Sequence, residues 1–118
     1  MVDEIIKEIL TRPGREKIGM ILSHVGIVRG FSRDGTPVNK VKVRVDEKAL
    51  EEILIRMRQR PGIFAVEVKI NEGELSLGEV LMVLVVAGDF RENVINTLKD
   101  TLDEIKARVT QKEERLEA

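Results

Sequence analysis

The sequence predicts an α+β domain with a mostly antiparallel sheet and the element order α-β-β-α-β-β-α. Three observations carry this. Val41, Val43 and Val45 alternate with Lys42 and Arg44, and Phe64, Val66, Val68 and Ile70 alternate with Glu67 and Lys69, the period-two pattern of half-buried strands. Residues 80–87 (VLMVLVVA) are apolar without a break, as in a central strand covered on both faces. Three other segments space their apolar residues as helices do.

The first helix spans 2–10, with Ile5, Ile6, Ile9 and Leu10 on one face and Asp3, Glu4, Lys7 and Glu8 opposite; Pro13-Gly14 ends it. Residues 18–28 are apolar or small and read as a largely buried strand. The turn cluster at 32–37 contains Asp34-Gly35, a strong hairpin signal, so this strand and the Val41 strand are expected to pair. Asp46 is suited to cap a second helix bearing Ala49, Leu50, Ile53, Leu54 and Met57, which Pro61-Gly62 stops. After the third and fourth strands, Asp89 and Glu92 stand at the spacing of a capping box. Val94, Ile95, Leu98, Leu102, Ile105 and Val109 then mark one face of a long last helix, and 111–118 reads as a polar, fraying tail. Helices are expected on one side of the sheet. The whole of 1–118 is read as one domain, without repeat or linker.

A chain of 118 residues with 42% apolar residues suffices for one core. Twenty basic against 21 acidic side chains give a net charge of −1, which offers no general attraction for nucleic acid or an anionic membrane. The absence of cysteine excludes disulfides, thiolate metal sites and cysteine nucleophiles, and a single histidine, His24, excludes His-rich metal clusters. No stretch reaches the ~18 apolar residues of a membrane span, and the N-terminus is unlike a signal peptide. A cytoplasmic protein is expected. The 35% of charged residues, without cysteine and with few aromatics, resembles the composition of proteins from hot environments.

Few side chains are left to carry chemistry. His24, inside a strand, reads first as a packed or edge residue, although imidazole titrates near neutral pH. Arg29 lies at a strand end between glycines, where a guanidinium suits phosphate or carboxylate. Arg91 opens the last helix, whose free N–H groups favour an anion while its dipole disfavours a cation. Lys106 and Lys112 fall near that helix's C-terminal end, where cations suit the dipole.

Taken in order, these positions resemble the large, catalytic subunit of molybdopterin synthase over roughly residues 15–114. That family's G-x-V-R strand end is matched by Gly26, Val28 and Arg29. Its G-x-L-x-[VI]-G-E stretch, the most specific, is matched by Gly73, Leu75, Gly78 and Glu79, with Leu77 at the Val/Ile position. Its [LI]-K helix end is matched by Ile105-Lys106, with Lys112 as the following lysine. The resemblance implies an α/β-hammerhead-like fold, a homodimer, and a ubiquitin-like small subunit whose C-terminal Gly-Gly thiocarboxylate enters a pocket. Sulfur would pass from it to cyclic pyranopterin monophosphate, with no metal or redox cofactor for that step. Lys106 and Lys112 would be catalytic, and Arg29 and Arg91 would bind the anionic substrate.

The match has gaps. Ile70-Asn71 and Phe90-Arg91 stand where the family has His-Arg, and Val43-Arg44 where it has Tyr-Glu. Val109-Thr110-Gln111-Lys112 stands where the family has a Pro-x-Trp-Lys segment, and the spacing from Lys106 to Lys112 is one residue shorter than the family's. Two alternatives to the enzyme are therefore a catalytically silent dimeric binding or regulatory module on the same scaffold, and a small-molecule sensor of ferredoxin-like build.

Overall fold

In the computed structural model, which describes residues 1–116, the apolar run becomes the strand around which the rest is built. Strand β5 (Val80–Gly88) is buried from Met82 onward and lies between β1 (Met20–Ile27) and β3 (Ile63–Ile70), antiparallel to both. A second antiparallel sheet has the order β4-β2-β6, formed by β4 (Gly73–Ser76), β2 (Val38–Val45) and β6 (Thr110–Leu116). With helices α1 (Val2–Ile9), α2 (Glu47–Arg58) and α3 (Arg91–Arg108), the mixed α+β class follows as expected. No helix among the described residues is long and apolar enough to cross a membrane.

Because β5 is apolar on both faces, both need cover. Helices α2 and α3 bury Ile53, Met57, Val94 and Ile105 against Val66, Leu84 and Val86. Helix α1 packs Ile9 against Ala65, Val83, Val85 and Ala87 on the opposite face, so the expectation of helices on one side is corrected. A third cluster, Val28, Val38, Val41, Val43 and Leu75, forms the small core under the second sheet.

The expected hairpin is also corrected. The turn at 32–37 forms, with Ser32 N donating to Thr36 O at 2.8 Å and an isolated bridge between Phe31 and Pro37. Beyond it the strands part. β1 adds to the edge of β5, while β2 carries its valine face to the third cluster and pairs with β4 and β6. A local turn signal dictates the reversal of the chain, whereas the pairing follows the larger apolar surface offered by β5.

At the N-terminus of α2, Asp46 caps as expected, its carboxylate accepting from Ala49 N at 3.1 Å. Replacing it with alanine should lower stability by about 1 kcal/mol, read as a shift of the urea midpoint at unchanged slope. At α3 the cap is Phe90 rather than Asp89, and no side chain caps it. Asp89 N is held by Gly62 O at 2.9 Å, and the Asp89 carboxylate accepts instead from Phe90 N and Asn93 Nδ2. Helix α3 ends at Arg108, Asp46 N donates to Val109 O at 2.9 Å, and the chain turns back along β2. Residues 111–116, read as part of a polar tail, thus belong to β6, with Val43 opposite Lys112; Glu117 and Ala118 of that tail lie outside the described residues.

Candidate anion-binding cleft

The register of β1 against β5 decides which side chains reach the cleft. Met20 and Leu22 pack into the core that α3 covers. By strand alternation His24 and Gly26 continue on that face, opposite Leu84 and Met82. Helix α3 anchors beside them through the buried Ile105, which places Lys106 at the rim. The end of β1 is fixed by a backbone exchange between the two glycine motifs: Val28 N donates to Glu79 O at 2.9 Å, and Gly78 N to Val28 O at 2.8 Å. With Val28 buried, Arg29 emerges at the edge of the hollow, its guanidinium 5.7 Å from the centre of the Phe31 ring.

The result is a cleft of about 190 Å³. Met82 and Leu81 contribute apolar wall; His24, Arg29, Arg33, Lys106 and Lys112 contribute its polar groups. Arg33 is presented by the 32–37 turn, which Asp34 stiffens by accepting from Ser32 Oγ and Thr36 N. Those bonds hold the Asp34 carboxyl at about 2, so it stays ionised in its local role.

The cleft gathers four cations, and a shallower hollow that shares Lys112 is lined by Lys42, Arg44 and Gln111. Several cations elsewhere are matched: Arg12 with Glu8, Lys40 with Glu74, Arg56 with Glu104 and Arg60 with Asp100. Among the described residues, Arg29, Arg33, Lys106 and Lys112 have no carboxylate partner, and none lines the cleft. Four cations sharing one hollow repel one another and favour a ligand carrying negative charge. Burial and, secondarily, the nearby Lys106 charge pull the His24 imidazole below its ordinary value of 6.5, so the ring is neutral at pH 7. A larger hollow of about 420 Å³ beside Phe64 sets one cation, Lys17, against one carboxylate, Asp89, and has no such preference. Among the described residues no group of three His, Asp or Glu side chains is placed to hold a metal.

Three of the four residues singled out in the sequence, Arg29, Lys106 and Lys112, are therefore brought together. Arg91 is not. It opens α3, its side chain 80% exposed and 3.8 Å from Glu92. Fifteen residues of helix, at about 1.5 Å each, put roughly 22 Å between it and Lys106. Two cleft residues were not selected from the sequence. Arg33 sits in a turn, where a charge is ordinarily just solvated, and His24 reads as a strand-packing residue; the face it shares with Leu22 and Gly26 was the available signal.

Fold and cleft together define an α+β domain with a cation-lined cleft at the junction of its two sheets. The chain belongs to the MoaE protein family, whose model matches residues 1–108, a stretch that includes Arg29 and Lys106 and stops short of Lys112. A comparison with curated proteins finds no match. Among solved structures, the fold is similar to the molybdopterin cofactor biosynthesis protein E from Burkholderia multivorans, with a TM-score of 0.78 and 23% identity over 99% of this chain and 82% of that one. It is also similar to the molybdopterin synthase from Staphylococcus aureus, with a TM-score of 0.74 and 20% identity over 86% and 77% of the two chains. A complex of subunits 1 and 2 of the molybdopterin-converting factor from Helicobacter pylori gives 0.72 and 18% over 98% and 78%. At these identities the likeness is one of fold.

Proposed function

We propose that this chain acts in molybdenum cofactor biosynthesis as the large subunit of a molybdopterin synthase. In this reading it moves sulfur from the thiocarboxylate of a ubiquitin-like small subunit to cyclic pyranopterin monophosphate. The observation that carries the reading is the gathering of Arg29, Arg33, Lys106 and Lys112 around one cleft without a carboxylate among the described residues. Both substrates are anions at the reacting end, one a phosphate and the other a thiocarboxylate. Arginines hold the phosphate through paired N–H donors, and Lys106 stabilises negative charge developing on the acyl oxygen during transfer. Lys112 assists from β6. Family membership supports the role, and the subunit complex from Helicobacter pylori supports a small partner.

The reading includes a homodimer. Strand β1 is an edge strand with Val25 and Ile27 exposed, an open apolar edge that invites pairing. Arg91 joins the anion site only if a second copy brings it there.

Reconstitution tests the proposal. The purified chain, a small subunit ending in a Gly-Gly thiocarboxylate and cyclic pyranopterin monophosphate should yield the dithiolene product. If no Gly-Gly-ended partner supports conversion, the enzyme reading fails and the silent dimeric binding module takes its place.

A further inference from the structure

Among the described residues, His24 is the one polar group lining the cleft that accepts a proton at neutral pH. The charged groups facing it are Arg29 and Arg33 from the connection after β1, Lys106 from α3 and Lys112 from β6, which in their charged forms only donate. Strand β5 offers Leu81, Met82 and Leu84, none of which titrates. Among the described residues no hydrogen-bond partner holds either ring nitrogen, although the residue is half-buried. Gly26 lies beside the ring, where a side-chain Cβ would stand in ordinary contact, 3.5 Å from Nε2. An unpartnered, neutral imidazole opening on a cation-lined cleft has the free lone pair that a general base needs.

We propose that His24 is the general base of the sulfur transfer, taking a proton from the water that cleaves the acyl–sulfur bond. The role rests on the reading under Proposed function. When the thiocarboxylate sulfur adds to an electrophilic carbonyl carbon of the pterin, the C–O π bond breaks, its electron pair goes to oxygen, which takes a proton from solvent, and the sulfur becomes a thioester bridging that carbon and the acyl carbon of the small subunit. Release requires water. As the water oxygen bonds to the acyl carbon, one of its protons passes to the free ring nitrogen of His24, and the carbonyl electron pair moves onto oxygen. Collapse re-forms the carbonyl and breaks the acyl carbon–sulfur bond, its electron pair leaving on sulfur. The products are the carboxylic acid of the small subunit, which ionises to solvent, and a pterin thiolate. The thiolate or solvent takes the proton from the imidazolium, and no change of oxidation state needs an external reagent.

The test is the single-turnover rate of the reconstituted complex from about pH 5 to about pH 9, for wild type, His24→Asn and His24→Phe. Inorganic phosphate binding to each variant reports an intact cleft. The wild-type rate is expected to fall on the acid side as the imidazole protonates. Both variants are expected to lose about a hundredfold in rate and to lose the acid limb, with phosphate affinity within about twofold of wild type at pH 8. A variant that keeps the wild-type rate, or keeps the acid limb at a lower rate, overturns the role. Loss of phosphate binding in both variants also overturns it, by assigning His24 to the shape of the cleft. Absence of conversion by the wild-type complex overturns the sulfur-transfer reading itself, an outcome distinct from conversion that is indifferent to His24.

Discussion

Lys106→Ala is expected to reduce the single-turnover rate of sulfur transfer by about 10³-fold or more, the range spanned by loss of a charge-stabilising or proton-handling group. The side chain is exposed and bears no ion pair among the described residues, so its removal should leave stability within about 0.5 kcal/mol of wild type. Its neighbour in sequence, Ile105, is fully buried and fixes the helix end whether or not Lys106 is present. Substrate binding should weaken far less than the rate, because Arg29 and Arg33 remain to hold the phosphate. Lys106→Arg keeps the charge but moves it on a longer, planar head, and should recover binding more fully than rate. Rate and equilibrium binding, measured on the same preparations, check both statements. Equal losses in the two would assign Lys106 to substrate affinity alone.

Leu84→Ala is expected to lower the unfolding free energy by about 3–5 kcal/mol, the cost of an uncollapsed cavity in a tightly packed core. Leu84 is completely buried in the central strand, among residues of α2, α3 and β3. Against a total stability of about 5–15 kcal/mol for a domain of this kind, that loss is a large fraction. Strands on both sides of β5 limit how far the backbone can close around the gap. Urea titration followed by circular dichroism reads the change, with Val25→Ala, at a 42% exposed edge position, as the contrasting small effect. A loss below about 1 kcal/mol at Leu84 would mean that β5 is not the centre of the core.

What the sequence made legible follows from how local each signal is. The apolar run of β5 needs no partner to be recognised, and the Asp46 cap is settled within one helical turn. β4 was hidden because four residues are too few to show a period, and β6 because it is rich in polar residues throughout. The pairing of β1 with β5 rather than β2 depends on surfaces more than fifty residues apart, which no turn motif reports. The same holds for the site. Arg29 and Lys106 could be selected because each ends a recognisable element, while Arg33 and His24 acquire meaning only when the turn and the edge strand close over the end of α3. Arg91 and Lys106 share one helix, and its length alone separates them.

Binding of cyclic pyranopterin monophosphate to the full chain, followed by isothermal titration calorimetry for wild type and for the double substitution Arg29→Ala with Arg33→Ala, tests the cationic cleft most directly. Saturable binding at one site per chain, weakened at least tenfold by the double substitution and further by added salt, is the predicted result. Undiminished affinity in the doubly substituted protein would contradict the assignment of this cleft as the anion site.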